Sequence, residues 1–446
     1  STRKESSAAS DVYKRQLMAD TIYALATSQG RAGVAVVRIS GPEAFTSLKS
    51  LCINFNISPR KSKLCDLYTD EGLHLDRALV IPFKGPQSFT GEDVVELHLH
   101  GSIAVIQKTL ETLSKLPNLR QALPGEFTRR AFTNEKLDLA EIEGLADLIE
   151  AETEAQRVQA LQVLSGKLGQ RVQEWRSMII KAMAFIEVTI DFADEEVPTD
   201  ISKDVLLILT NIIKDLEYES ESTKVAERIR SGFEVAIVGK PNVGKSSLLN
   251  ALSGREAALT SEEAGTTRDI IEVRMDLGGL PVTMMDTAGL RDTDNLIENK
   301  GISKAIEKAN SADLVIVLTE DGEIPIEIQN SSVLKFVSKC DDGELADGVS
   351  AFTGYGLDNM ISSIKRKLEK RVQNQGLATR YRHKEAIDSA IRKIQTAKKF
   401  VIDGPFFYDL AAEELRQTAY TLDELFGKVD VENVLDEIFS SFCLGK

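Results

Sequence analysis

Residues 239–246, Gly239-Lys-Pro-Asn-Val-Gly-Lys-Ser246, follow the apolar run Phe233-Glu-Val-Ala-Ile-Val238 and precede Ser247-Leu-Leu-Asn-Ala-Leu252. Strand, G-x-x-x-x-G-K-S and helix in that order commit the segment to a buried strand, a loop wrapped around an anion, and a helix whose N-terminus faces it. The glycines let backbone N–H groups approach phosphate oxygens, Lys245 reaches the β- and γ-phosphates, and Ser246 offers a hydroxyl to magnesium.

Two further segments supply the companions such a loop requires. Val282-Thr-Met-Met-Asp-Thr-Ala-Gly289 reads as a second strand ending in D-x-x-G, with Asp286 for the magnesium shell and the Gly289 N–H for the γ-phosphate. Between them, Gly265-Thr-Thr-Arg-Asp269 stands where a switch loop supplies a second magnesium-ligating threonine. Base choice is read from Ser338-Lys-Cys-Asp341 at the end of the strand 333–337, in place of the usual N-K-x-D, with Ser350-Ala351 as a second base-contacting loop. Asp341 can accept two hydrogen bonds from guanine, and adenine offers no matching donor pair. Ser338 is shorter than asparagine and forfeits a bracing hydrogen bond, so GTP is expected over ATP, bound more weakly. Leu290 follows D-x-x-G where a water-orienting glutamine stands in Ras-like proteins, so hydrolysis needs another device. Asn242 is either a potassium ligand, the cation then neutralising developing charge, or a residue that only shapes the loop.

The rest of the 446-residue chain is too long for one core. Residues 21–132 mix strands (33–39 and 93–100) with a helix over 103–116, an α+β pattern. Apolar residues then recur at three- and four-residue spacing from 134 to 192, with Gly166 and Gly169 as the expected break. A helix over 203–231 follows, and helical periodicity returns from 377 to 442. The expected architecture is multidomain α/β: a P-loop G domain inserted into a split α-helical domain, preceded by an α+β domain. The segments are 18–134 for the α+β domain, 135–231 and 373–446 for the two helical parts, and 232–372 for the G domain. Residues 1–17 read as a non-native leader, with Met18 as the start.

Composition removes several classes. The net charge of −15 argues against broad, salt-driven nucleic-acid binding. No apolar run reaches the ~20 residues of a membrane span, and a cytoplasmic protein is expected. The four scattered cysteines form no C-x-x-C pair, so neither a zinc site nor a disulfide framework is expected. His98 and His100 share a strand face but lack an evident third ligand.

From residue 18 to the C-terminus the chain resembles the MnmE (TrmE) family of tRNA uridine-modification GTPases. The resemblance is carried by Gly30-Arg-Ala-Gly-Val34, Arg38-Ile-Ser-Gly41, Ser88-Phe-Thr-Gly-Glu-Asp93, Pro124-Gly-Glu-Phe-Thr128, Asn134-Glu-Lys-Leu-Asp-Leu139 and the terminal Phe442-Cys-Leu-Gly-Lys446. It implies a potassium-activated GTPase whose G domains dimerise during hydrolysis. Asn242, Ser261, Glu263 and Thr266 match the potassium ligands, and Ser246 and Thr267 the magnesium ligands. Nucleotide contacts then fall on Asn242, Val243, Gly244, Lys245, Ser246 and Ser247; on Ser261, Glu262, Glu263, Ala264, Gly265, Thr266 and Thr267; on Asp286, Thr287, Ala288 and Gly289; and on Lys339, Asp341, Ser350 and Ala351.

By its distance from Asp286, Glu298 aligns with the acid that orients the attacking water, although the residues alone would make it an exposed carboxylate. With Lys245 and Cys443 it completes the catalytic set, and composition alone would make Cys443 a small buried residue. The N-terminal domain of the family binds a 5-formyl-tetrahydrofolate-type one-carbon donor and mediates dimerisation, with Arg38, Glu96, Lys136 and Lys446 at the folate-contacting positions. Taken alone, Arg38 is either a ligand for a glutamate tail or a surface charge. The implied reaction forms an aminomethyl or carboxymethylaminomethyl group at the five-position of wobble uridine in tRNA. It proceeds with an FAD-dependent partner, MnmG, a homodimer of this chain assembling into a heterotetramer. Besides Ser338, the segments 319–332 and the one after Asp341 are short for the family. The competing reading is a ribosome-assembly-type G protein that binds RNA without modifying it; acidic helical flanks, in place of a basic RNA-binding domain, argue against it.

Overall fold

In a computed structural model the described residues are 20–52, 58–191, 201–255, 257–259, 272–286, 306–320, 328–330, 332–372, 376–426, 438–439, 442 and 445. They divide into two compact units, one comprising residues 1–143 with 426–446 and the other residues 144–425. The leader lies outside the described residues.

In the first unit the chain runs β1 (Thr21–Leu25), β2 (Val34–Ser40), α1 (Ala44–Leu51), β3 (Lys63–Tyr68), β4 (His74–Phe83), β5 (Val94–His100), α2 (Ile103–Ser114), β6 (Leu119–Gln121) and α3 (Glu126–Thr133). One sheet in the order β3-β4-β5-β2-β1-β6 results, antiparallel except for the β1–β6 pair. Strand alternation decides its faces. Ala35, Val37 and Ile39 of β2 join Leu48 of α1 and Leu113 of α2 in a buried core. The intervening residues Val36 and Arg38 point the other way, opposite His98 and Glu96 of β5.

The helical elements that follow are α4 (Leu139–Glu150), α5 (Glu154–Leu164), α6 (Lys167–Asp191) and α7 (Ile201–Ser231). The expected break is half right. Gly166 has φ +74 and separates α5 from α6, whereas Gly169 lies inside α6. A second sheet then interrupts the helices: β7 (Phe233–Val238), α8 (Lys245–Ser253), β8 (Glu272–Asp276), β9 (Pro281–Asp286), β10 (Leu314–Thr319), β11 (Val333–Ser338), β12 (Gly348–Val349) and α9 (Leu357–Val372). The chain closes with α10 (Tyr381–Asp403) and α11 (Tyr408–Asp423), which return to pack on α7 and α6. The sheet domain is thus inserted between helices that share a core. Trp175, Ile179, Ala182 and Ile186 of α6 and Leu209, Ile212 and Leu216 of α7 are buried at helical spacing with Ala390, Ile394 and Ala397 of α10.

The second sheet has the order β12-β11-β10-β7-β9-β8 and is parallel but for the β8–β9 pair. β7 is central and almost wholly buried, as its apolar run Val235 to Val238 requires, with Glu234 the one partly exposed position. The chain leaves it toward β9 on one side and β10 on the other, so the crevice at the carboxyl ends of these strands is where an α/β sheet binds a ligand.

Glu126 at the start of α3 is buried and receives Arg120 Nη2 at 2.6 Å and Arg130 Nη2 at 3.1 Å. Burial alone would raise its pKa, but hydrogen bonds from Arg120 and the Leu123 N–H, with the charges of both arginines, hold it below the ordinary value. A depressed pKa contributes stability that is present above the unfolded-state value, about 4.3, and lost as pH falls through the folded-state value. Glu126→Gln is therefore expected to lower stability at neutral pH and to flatten its loss on acidification. Urea melts from about pH 6 to 3 check this, and an acid limb as steep as the parent's would refute it.

Candidate functional site

Three strand ends build the site. At the end of β7, Gly239 sits so tightly that an added Cβ would stand 2.5 Å from the Leu318 carbonyl of β10 and 2.8 Å from Val243 Cγ1. Only glycine allows the chain to turn there. Asn242 and Gly244 continue the loop with φ of +61 and +103, values that asparagine tolerates and glycine adopts freely. Lys245 opens α8, and its Nζ folds back onto the carbonyls of Gly239 (2.9 Å) and Lys240 (3.1 Å). The loop is thus drawn into a ring around the lysine.

β9 delivers the second part. Asp286, its last residue, is buried and accepts a 2.7 Å hydrogen bond from Ser246 Oγ. Hydroxyl and carboxylate therefore converge beside the loop, a donor set of hard oxygens suited to a divalent cation and its water shell. Ser246 and Asp286 are 40 residues apart in the chain, and the β7–β9 pairing brings them together.

β11 and β12 deliver the third part. Asp341 Oδ1 accepts a 2.5 Å hydrogen bond from Ser350 Oγ. Ser350 is fully buried, and its Oγ accepts the N–H groups of Phe352 (3.2 Å) and Thr353 (3.0 Å). Lys339 has φ +61 and pairs with Glu320 Oε1 at 2.6 Å, with both side chains more than half exposed. Ser338 Oγ reaches only the Thr319 carbonyl, at 3.4 Å, the long limit of a hydrogen bond. A cleft of about 590 Å³ runs between the phosphate loop and these two segments, bounded by Asn242, Ser247, Ser338, Lys339, Asp341 and Phe352. The Ser350–Asp341 brace and Phe352 are additions that motif reading did not supply.

In the N-terminal unit, Arg38 lies opposite Glu96 across the β2–β5 pair, and its Nε and Nη2 both donate to Glu96 Oε1, at 3.0 and 2.9 Å. The guanidinium also faces the rings of Phe89 (5.2 Å) and Phe127 (5.7 Å). Lys136 Cε lies beside Gly91, 3.2 Å from where a Cβ would stand. The Asn134 side chain donates to the Thr90 carbonyl at 2.6 Å. The 88–93 turn and the residues following α3 are therefore in contact. His98 Nε2 is buried with no hydrogen-bond partner, 3.5 Å from Glu96 Oε2, while His100 Nδ1 lies 2.8 Å from Asp76 Oδ1. Among the described residues no three metal-ligating side chains cluster.

Several expected residues lie outside the described residues: Ser261, Glu262, Glu263, Ala264, Gly265, Thr266 and Thr267 of the switch loop; Thr287, Ala288 and Gly289; Glu298; and Cys443 and Lys446.

A parallel sheet with a glycine loop after its central strand, a lysine ringed by that loop and a serine–aspartate pair at its mouth defines the class of P-loop nucleotide-binding proteins. Comparison with known proteins gives the family. The model of the GTP-binding protein TrmE N-terminus matches residues 21–136, and that of the MnmE helical domain matches residues 139–443. The tRNA modification GTPase MnmE of Roseobacter denitrificans is 51% identical over 428 residues, covering 96% of this chain and all of that one. That of Ruegeria pomeroyi is also 51% identical, over 429 residues, with the same coverage. Among solved structures, the G domain of the T. maritima FeoB iron transporter aligns at 25% identity over 32% of this chain and 99% of its own, with a TM-score of 0.24. This chain belongs to the MnmE family of tRNA modification GTPases.

Because Ser338 makes one marginal hydrogen bond, Ser338→Asn is expected to tighten GDP binding several-fold, roughly 1 kcal/mol for one added hydrogen bond. Calorimetric titration of both proteins reads this directly. Equal affinities would remove Ser338 as the weak point of the base end.

Proposed function

We propose that this chain is a potassium-activated, magnesium-dependent GTPase of tRNA modification that acts at the five-position of wobble uridine with the FAD-dependent partner MnmG. In this reading it forms an aminomethyl or carboxymethylaminomethyl group. The observation that carries the proposal is one cleft that runs from Asn242 and Gly244 of the phosphate loop to Asp341, with Ser246 hydrogen-bonded to Asp286 beside the loop and Ser350 bracing Asp341. Phosphates lie against the loop N–H groups, Lys245 exchanges its carbonyl partners for phosphate oxygens, and Ser246 with Asp286 holds magnesium and its water. Asp341, fixed by Ser350, accepts from the guanine edge.

Asn242 supports the potassium assignment. It is exposed, and among the described residues its side chain has no hydrogen-bond partner, so its carbonyl oxygen is available to a cation. Its φ of +61 means that it also shapes the loop, and the two readings of this residue are compatible. A cation there supplies positive charge to the developing phosphate, as an arginine finger does. In this reading Glu298 would orient the attacking water, Thr267 would join Ser246 in holding magnesium, and Ser261, Glu263 and Thr266 would hold potassium with Asn242.

For the N-terminal unit we infer a one-carbon folate site at Arg38, Glu96 and Lys136, with Lys446. The Arg38 charge is already met by Glu96, so a lone carboxylate would have to displace that partner. A cation–carboxylate pair facing two phenyl rings, with His98 Nε2, which has no hydrogen-bond partner, 3.5 Å from the same carboxylate, better suits a planar heteroaromatic ring carrying donors and acceptors. The same sheet face exposes Leu64, Leu79 and Val34, a patch fitted to a second copy of the chain. Cys443 takes part in the tRNA chemistry. Among the described residues no helix is long and apolar enough to cross a membrane, and a cytoplasmic site of action is part of the proposal.

GTP turnover in potassium and in sodium at matched ionic strength tests the assignment. The parent is expected to turn over at least about tenfold faster in potassium, a difference of ~1.4 kcal/mol in barrier, and Asn242→Ala is expected to abolish that difference. Equal rates in the two salts would eliminate the potassium mechanism.

A further inference from the structure

Phe352 is 91% exposed, although the turn that carries it is tightly held. Ser350 Oγ accepts the Phe352 and Thr353 N–H groups, the Ser350 N–H donates to the Tyr355 carbonyl at 3.0 Å, and the Gly354 N–H returns to the Ser350 carbonyl at 3.0 Å. The phenyl ring is therefore presented by a fixed backbone. A lone exposed hydrophobe elsewhere on a surface needs no explanation. This one lines the cleft that contains Asp341 and Lys339, in the turn whose serine orients Asp341.

The base end is otherwise poorly furnished. Ser338 contributes one marginal hydrogen bond and reaches nothing else in the described cleft. Lys339 is engaged with Glu320, an exposed pair worth little in water. Edge recognition thus rests on Asp341, while a purine also has two broad faces that water solvates poorly. An aromatic ring on a rigid turn satisfies one of those faces at little cost in conformational entropy.

We propose that Phe352 is a base-stacking residue of this chain: the purine of a guanine nucleotide packs on its ring, with the Lys339 stem on the other side, and this stacking offsets the bracing that Ser338 does not give. The inference rests on the guanine-nucleotide reading of the cleft and adds to it the residue that supplies affinity independently of the base edge. Edge and face then have separate duties. Asp341 discriminates among bases through donors and acceptors; Phe352 tightens any purine nucleotide the edge admits, because stacking ignores the substituents on the ring.

GDP, inosine diphosphate and xanthosine diphosphate, titrated into the parent, Phe352→Ala, Phe352→Trp and Asp341→Asn, separate the two duties. Phe352→Ala is expected to weaken GDP and inosine diphosphate by a common factor of roughly tenfold. Phe352→Trp is expected to bind GDP at least as tightly as the parent and to change its emission when GDP is added. The only native tryptophan, Trp175, is buried within α6 and gives a constant background. Asp341→Asn is expected to lose GDP and gain xanthosine diphosphate, because its amide can donate to the 2-carbonyl of xanthine. GDP affinity in Phe352→Ala within about twofold of the parent, or a silent Phe352→Trp signal, overturns the stacking role while Asp341→Asn still reports a guanine site. If Asp341→Asn retains parental GDP affinity, the guanine reading itself falls, and the stacking role with it.

Discussion

The nucleotide cleft depends on one close approach. Gly239 leaves β7 against the Leu318 carbonyl of β10, where no Cβ fits. That contact turns the chain before it can continue as strand, and it sets where the next seven residues begin. Lys245 then closes the loop by donating to Gly239 and Lys240, so the loop's own carbonyls hold its cation until an anion competes for it. Central position and burial of β7 make the turn rigid, since its neighbours β9 and β10 are hydrogen-bonded on both sides. Asp286 inherits its place from the same pairing, which sets β7 and β9 in register to Ile237 and Asp286. One strand's seating thus fixes both the phosphate loop and its carboxylate.

The far ends of these strands are held by the helical part of the same unit. Thr153 and Gln156 form a capping box at the start of α5, and the Gln156 amide donates to the Arg230 carbonyl at the end of α7, just before β7. The Ala155 N–H donates to the Gly279 carbonyl in the β8–β9 turn at 2.9 Å, and Gln159 donates to the Ala226 carbonyl of α7 at 3.0 Å. One helix start therefore grips both the chain entering β7 and the turn entering β9. Phosphate loop and Asp286 lie at the opposite ends of those strands.

Much of this was legible in the sequence, and the parts that were not share a cause. A phosphate loop is read from eight consecutive residues because its chemistry is local: glycine, lysine and serine act within one turn of chain. The strand and helix boundaries of the second sheet follow from apolar runs for the same reason. Gly166 and Gly169 were not separable by composition, because a helix interior tolerates one glycine at about 1 kcal/mol, and only the backbone angle shows which glycine breaks it. Arg38 and Glu96 are 58 positions apart, and their pairing appears only once β2 and β5 are in register. Phe89 and Phe127 belong to motifs that carry the family resemblance, yet neither motif tells that its ring faces Arg38. The brace from Ser350 to Asp341 likewise spans two segments that sequence reading treats as separate contacts.

Those N-terminal motifs show what a buried ionic network is for. Arg130 is nearly inaccessible, and its guanidinium donates both to Glu126 on its own helix and to Glu92 in the 88–93 turn, the latter at 3.0 and 3.2 Å. Ser40 adds hydrogen bonds to Thr90 and Glu92, each 2.7 Å long. Desolvating three charges costs about as much as their attraction returns, so the network is a poor source of net stability. Its value is geometric: removing one partner leaves a buried charge uncompensated, so the turn cannot drift from α3 without a penalty of several kcal/mol. Phe89 lies on that turn and Phe127 on that helix, and both rings face the Arg38 guanidinium. The network thus holds two phenyl rings at fixed separation around one cation. What the network contributes is that fixed arrangement rather than additional free energy.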